Sequence, residues 1–231
     1  MAKKDFRDRM AAALQKRFGE DAATRLGKGR VAGAQPKEVL TSGIDVLDHY
    51  LFGRGGFPVG RITEVYGGEN CGKTTLMYAA LAANMRKGAV GIVIDSDHAF
   101  DETRAAEMGV PTDDLIVQTP HSLEEAFEMM KAVIELHDPE DGPMLVGWDA
   151  IASSSPKRAA ERDLTNAKQK RTPGVVANLT SEQFPILLEA LGRHRAHLLC
   201  LNQTRVNIGV MFGDNTTTPG GKAPKFYATN R

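Results

Sequence analysis

Long apolar runs, paired cysteines and an excess of either charge are all missing from this chain. No apolar stretch approaches the roughly 18 residues of a membrane-spanning helix. The N-terminus carries no apolar signal core, so neither a span nor an export signal is expected. The two cysteines, Cys71 and Cys200, fit neither a metal spacing nor a disulfide framework, and reduced thiols in a cytoplasmic setting are the expectation. Net charge is zero, with 29 Lys and Arg against 29 Asp and Glu. Any contact with nucleic acid therefore needs a local basic patch rather than a global field. Internal repeats and low-complexity tracts are also lacking, which argues against a solenoid. What is present is 42% apolar and 25% charged, the composition of a soluble globular protein. A chain of 231 residues makes one ordinary domain, with room for a small appendage.

The densest information lies at Gly67-Gly68-Glu69-Asn70-Cys71-Gly72-Lys73-Thr74-Thr75, which fits G-x-x-x-x-G-K-[ST]. The alternating run Ile62–Tyr66 before it reads as a strand, and Leu76–Met85 after it reads as a helix. Strand, glycine-rich turn and helix are the context in which this motif cradles phosphates with backbone N–H groups. Lys73 is expected to neutralise the β- and γ-phosphates and Thr74 to offer its hydroxyl to Mg²⁺. The expected cofactors are ATP and Mg²⁺.

Apolar runs at 89–95, 143–149 and 197–203 read as buried strands, separated by helical spacing at Leu123, Phe127, Met130 and Ile134 and by a helix closing at 187–191. Alternating strands and helices predict an α/β fold of the P-loop NTPase kind, a mainly parallel sheet flanked by helices. Phe6, Met10, Leu14 and Phe18 line one stripe of a helix over residues 5–18, followed by a glycine- and charge-rich segment. The expected division is an N-terminal helical arm and linker at 1–35 and a core at 36–231. Two readings of the arm stand: packing on its own core, or docking on a neighbouring subunit.

Ligands of such sheets sit beyond the carboxyl ends of the strands. Asp149 ends one strand and is the candidate Mg²⁺ carboxylate. Asp95 and Asp97 end another, where a carboxylate can orient an attacking water, and Asp97 is the favoured catalytic candidate. Gln203 ends a third with a neutral amide suited to sensing a γ-phosphate.

GGFPVGRITEVYGGENCGKTTL, VIDSDHAFD, LNQTRVNIGVMFGDNTTTPGGKAPKFYA and LQKRFGEDAATRLG together resemble the bacterial RecA recombinases, in a phage or mobile-element version. The most specific block is NQTRVNIGVMFG with the following TTTPGG turn. The resemblance implies a RecA-like core and an ATP-dependent homo-oligomeric filament that pairs single-stranded DNA with homologous double-stranded DNA. It implies that Lys73, Thr74 and Thr75 hold phosphates and Mg²⁺, and that Asp149 is the second metal residue. Gln203 matches the glutamine linking the γ-phosphate to the DNA loop, and Asp101 matches an aspartate at the adenine. Arg205 to Gly221 matches a DNA-binding loop that includes Asn207, Gly220 and the base-inserting Ile208. Lys157, Arg158, Arg162, Lys168, Lys170 and Arg171, followed by Gly174, fall where another DNA loop lies, against only Glu161 and Asp163. Phosphate neutralisation is one use of that excess, and a solvated charge run is the other reading. Phe226 matches an interface aromatic, and Lys225 a residue facing the neighbouring nucleotide. Phe6 and Phe18 belong to the arm.

The sequence departs from the family pattern in four places. Asp97 stands where the family has a catalytic glutamate. Arg104 replaces a tyrosine expected against the adenine. The stretch before Gly174 differs in length and carries Pro173. The chain also stops at Arg231, where the family continues with further strands, two interface lysines and a C-terminal domain. A naturally short recombinase, one completed by a second polypeptide, and a fragment all stand as readings of that last point. The functional readings are a DNA-dependent ATPase and recombinase, an ATP-gated DNA-binding accessory, and an unrelated nucleotide enzyme, for which no acceptor lid is seen. The shorter Asp97 side chain falls about 1.5 Å short, and a misplacement of ~1 Å can cost ~100-fold in rate. Asp97→Glu is accordingly expected to speed ATP hydrolysis roughly tenfold or more in a steady-state assay. An unchanged rate would place the catalytic carboxylate elsewhere.

Overall fold

The computed structural model describes residues 6–19, 23, 38–53, 55–157, 174–206 and 216–231. The chain divides into two units, Met1–Lys37 and Glu38–Arg231. In the first, α1 (Phe6–Phe18) carries Asp8 in its first turn and Lys16 and Arg17 in its last, which complements the helix dipole. None of its residues is buried, and Phe6, Met10, Leu14 and Phe18 are all exposed.

The second unit opens with β1 (Val39–Leu40), a π-helical turn at Leu47–Leu51, and β2 (Phe57–Pro58), which pairs antiparallel with β1. Then come β3 (Ile62–Gly67), α2 (Lys73–Met85), β4 (Val90–Asp95), α3 (Glu102–Glu107) and β5 (Ile116–Gln118). They are followed by α4 (Leu123–Leu136), β6 (Met144–Asp149), α5 (Val175–Arg193) and β7 (Ala196–Gln203). β8 (Arg205–Val206) and β9 (Thr216–Thr217) form an antiparallel pair, and α6 (Ala223–Tyr227) leads into β10 (Ala228–Asn230). The main sheet runs β10-β3-β7-β6-β4-β5 with every neighbouring pair parallel. β6 and β7 insert between β3 and β4, so the chain reverses direction across the sheet beside β3. Crevices at such reversals, beyond the carboxyl ends of the strands, are where ligands bind.

Both sheet faces are apolar, which is why the strands read as continuous apolar runs. Ile92, Ile94, Val146, Trp148, Leu198 and Cys200 point to one side and meet Leu123, Phe127, Met130 and Ile134 of α4 and Phe184, Leu187 and Leu191 of α5. Val93, Leu145, Leu199 and Leu201 point to the other and meet Met77, Tyr78 and Leu81 of α2. α2 can lie close because Gly147 of β6 has no side chain; a Cβ there would come within 2.5 Å of Met77 Sδ. Cys200 is buried, and burial first, then the nearby Glu64 charge, push its thiol well above the ordinary value.

Two local expectations change. The helix closing at Leu191 starts much earlier, at Val175, and continues through Pro185. Proline is tolerated because Pro185 and Ser181, one turn back, both lie on the exposed side, where water can serve the freed carbonyl. The glycine-rich stretch from Gly53 to Gly60, which reads in the sequence as a turn leading into the first core strand, also holds the short strand β2 at Phe57 and Pro58. Strands β5 and β10 have three residues each, too few to show a period.

His197 is fully buried on β7, stacked on Phe57, with Nδ1 donating to Pro58 O at 2.8 Å and Nε2 without a partner among the described residues. A second ring proton would have no acceptor, and burial holds the pKa down at about 4 against an ordinary 6.5. Because the folded value is depressed, the neutral ring contributes in full above pH 6.5, and that contribution drains away as pH falls toward 4. The loss amounts to roughly 3 kcal/mol by linkage. His197→Asn keeps a donor near the Nδ1 position and removes the titration. Its melting temperature, followed by circular dichroism from pH 7 to pH 4.5, should fall less steeply than the parent's.

Candidate nucleotide-binding site

Gly72 caps α2 at φ 91°, a left-handed conformation that glycine adopts without strain, and it supplies no capping side chain. The first bond back along the helix is Leu76 N to Gly72 O, at 2.9 Å. The N–H groups of Lys73, Thr74 and Thr75 therefore have no intrahelical acceptor. No acidic residue sits in that first turn. α4 is built the opposite way, with Ser122 accepting from Glu125 N and with Glu124 and Glu125 in its first turn. One helix N-terminus satisfies itself; the other is left open to an anion.

Lys73 folds back over the loop, with Nζ donating to Gly68 O at 2.6 Å and Gly67 O at 3.3 Å, and lying 3.7 Å from the exposed Cys71 Sγ. Asn70 and Gly72 both have positive φ, which curls the loop between Gly67 and Lys73. Next along α2, Thr74 Oγ1 donates to Asp149 Oδ2 at 2.7 Å, and Thr75 Oγ1 accepts from Arg104 Nη2 at 2.7 Å. Arg104 thus brings a second cation to the turn that carries Lys73. It belongs to α3, whose N-cap Asp101 accepts from Arg104 N at 3.0 Å. Asp101 N in turn donates to the Tyr78 hydroxyl at 3.1 Å, tying this short helix to α2. Burial raises the Tyr78 pKa.

Three strand ends converge on this turn. Asp149 closes β6, and its carbonyl accepts from Ser96 N at 2.7 Å and Asp97 N at 3.2 Å, which draws the chain after β4 against it. Of the carboxylates after β4, Asp95 is buried and caps its own loop through Ala99 N and Phe100 N, whereas Asp97 is exposed. Gln203, at the end of β7, lies opposite Gly67 in register, and Thr204 N donates to Gly67 O at 3.2 Å. Burial is the main cause raising the Asp149 pKa; the Thr74 hydrogen bond opposes it, and the charges of Asp97 and Asp95 add to it.

The residues present fit Mg²⁺ held together with a nucleotide. Thr74 and Asp149 offer one hydroxyl and one carboxylate, and phosphate oxygens are the usual remainder of such a shell. Among the described residues no group of three or more His, Cys, Asp or Glu could hold a metal alone.

Several of the other residues singled out in the sequence fall outside the described residues. Lys168, Lys170, Arg171, Asn207 and Ile208 are outside them. Gly174 is the N-cap of α5, and Arg205 is exposed on β8. Gly220 and Gly221 both have positive φ and pack against α5, with Gly220 O accepting from Thr180 Oγ1 at 2.7 Å. Lys225 and Phe226 are exposed on α6. Two pairings had no sequence signal, Tyr78 with Asp101 and Arg104 with Thr75, because side chains far apart in the chain carry no spacing rule.

The model of the RecA N-terminal domain matches residues 7–231. The chain belongs to the RecA family. It is 37% identical over 224 residues to Protein RecA of Leptospira meyeri, covering 97% of this chain and 55% of that protein. It is likewise 37% identical over 231 residues to Protein RecA of Francisella philomiragia, covering 100% of this chain and 61% of that protein. The chain thus spans little more than half the length of these RecA relatives. The crystal structure of the RadB recombinase aligns with a TM-score of 0.54 at 23% identity, covering 75% of this chain and 74% of that one, a likeness of fold.

A carboxylate whose folded pKa is raised contributes fully below its ordinary value of 3.8 and loses that contribution as pH rises through the folded value. At neutral pH the ionised Asp149 therefore carries a penalty from its burial. Asp149→Asn should melt higher than the parent at pH 7 without nucleotide, with the gap closing as pH falls toward 4. The same variant should lose at least tenfold in Mg²⁺-dependent nucleotide affinity, read with a fluorescent ATP analogue.

Proposed function

We propose that the chain is the ATP-dependent DNA-binding core of a recombinase, assembling as a homo-oligomeric filament on single-stranded DNA to pair it with homologous double-stranded DNA. The observation that carries this reading is the placement of Gln203. It lies opposite Gly67, and the next residue bonds to Gly67 O, so the strand that enters 205–221 is joined to the phosphate loop itself. A change in that loop on nucleotide binding has a direct backbone route to the segment proposed to hold DNA.

In this reading ATP lies over the N-terminus of α2, with its phosphates taking the N–H groups of residues 68–75 and the Lys73 ammonium. Lys73 then leaves the carbonyls of Gly67 and Gly68 for the β- and γ-phosphates. Thr74 and Asp149 would hold Mg²⁺, which when bound would neutralise charge on the phosphates. Asp97, exposed beside Asp149, orients the attacking water, and the Gln203 amide reads the γ-phosphate. Asp101 and Arg104 flank the nucleotide beside Thr75. Lys168, Lys170, Arg171, Gly174, Arg205, Asn207, Ile208, Gly220 and Gly221 serve DNA. The exposed Phe6, Phe18, Lys225 and Phe226 serve subunit contacts, and the setting is cytoplasmic.

Steady-state ATP hydrolysis with and without single-stranded DNA tests the reading, and a rate that DNA raises several-fold is expected. Lys73→Ala should lower nucleotide affinity and turnover by at least about 100-fold, since charge and phosphate contact go together. Gln203→Ala should keep nucleotide affinity within a few-fold while losing DNA stimulation. DNA binding indifferent to ATP, together with no turnover, would overturn the proposal.

A further inference from the structure

Beside the site just described lies a polar cluster that the nucleotide reading leaves unused. Glu64 is on β3, three residues before Gly67, and its side chain is fully buried. Oε1 accepts from Asn202 Nδ2 at 2.8 Å and Oε2 from Arg231 Nε at 2.6 Å. Asn202, also fully buried, makes two more bonds: Nδ2 to Pro219 O at 2.9 Å, and Oδ1 from Gln203 N at 3.0 Å. Arg231 reaches Thr218 Oγ1 at 3.4 Å and lies over the Tyr66 ring at 3.9 Å. One carboxylate therefore joins the chain entering 204–217, at Asn202 and Gln203, to the chain leaving it, at Thr218 and Pro219.

Stability does not ask for this arrangement. A buried ion pair is commonly no better than an apolar pair of equal volume. Ile62, two residues earlier on the same face of β3, shows that this face accepts an aliphatic side chain. What the cluster supplies is geometry. Asn202 has a single amide, and it holds both the backbone of Gln203 and the return of the chain at Pro219. Glu64 fixes the orientation of that amide by accepting from its nitrogen, which leaves the amide oxygen facing Gln203 N.

We propose that Glu64 is a positioning residue, locking the Asn202 amide between Gln203 and Pro219 so that a shift of Gln203 toward nucleotide moves both ends of the proposed DNA segment together. The proposal rests on the ATP- and DNA-coupled reading above. Without the lock, Gln203 still meets the nucleotide, but an Asn202 amide held only by Gln203 N and Pro219 O can rotate and passes less of the movement to Pro219.

The test is the ratio of DNA affinities with and without a slowly hydrolysed ATP analogue, read by anisotropy of a labelled single-stranded oligonucleotide with the full chain. Glu64→Gln preserves volume and an acceptor for Asn202 but can present its amide nitrogen there instead, and it releases the partly exposed Arg231. The parent's ATP-induced tightening should fall at least fivefold in this variant, with nucleotide affinity in the absence of DNA within threefold of the parent. Asn202→Ala, which leaves Glu64 paired with Arg231, should lose the same ratio and decides the matter if Glu64→Gln does not fold. A purely structural role would lower the melting temperature and both DNA affinities in parallel and keep the ratio, and that result overturns the proposal. Tightening in the parent that persists in the variants overturns this inference alone. A parent that shows no tightening overturns the functional reading and this inference with it.

Discussion

The hydrogen bond between Thr74 and Asp149 is the contact on which the site depends. It joins the first turn of α2 to the end of β6, one of the two central strands of the sheet. For the two side chains to meet, α2 must lie close on β6, which Gly147 permits, and β6 must run parallel to β3 with β7 between them. The carbonyl of Asp149 then gathers Ser96 and Asp97, and Gln203 arrives on the intervening strand. The strand registers bring those groups level with one another, and the close approach of α2 brings the helix N-terminus to them.

The core and the site make opposite demands on the same strands. Their middles are apolar on both faces, and their carboxyl ends carry Asp95, Asp149, Asn202 and Gln203. The protein accepts unfavourable groups there: an uncapped helix start, a lysine folded on carbonyls, and a carboxylate whose burial raises its pKa. Each would be relieved by a polyanion with a divalent cation, which is the sense in which the site is preorganised.

Much of this was legible in the chain. The strands 90–95, 144–149 and 196–203 announced themselves because burial on both faces makes a mostly apolar run, 62–67 because of its alternation, and α4 because its buried positions recur at helical spacing. The phosphate loop was legible because a local backbone shape demands glycine at a fixed spacing. β1, β2, β5 and β10 were not, since two or three residues cannot express a period and become strands only through their partners. The start of α5 was hidden by Pro185, whose cost depends on which side faces water. Of the site, Lys73, Thr74 and Asp149 could be named from motif position, whereas the Arg104–Thr75 and Tyr78–Asp101 contacts exist only in three dimensions.

The two cysteines give the molecule a pair of independent reporters. Cys71 is exposed in the phosphate loop, within reach of Lys73, whereas Cys200 is sealed in the sheet with its thiol held protonated. A thiol reagent therefore meets first a sulfur whose surroundings would change if nucleotide entered the loop as proposed. It meets the second only when β7 is pulled out of the sheet. Alkylation kinetics on the unmodified chain thus contain two clocks, a fast one timing exposure of the loop and a slow one timing the opening of the core.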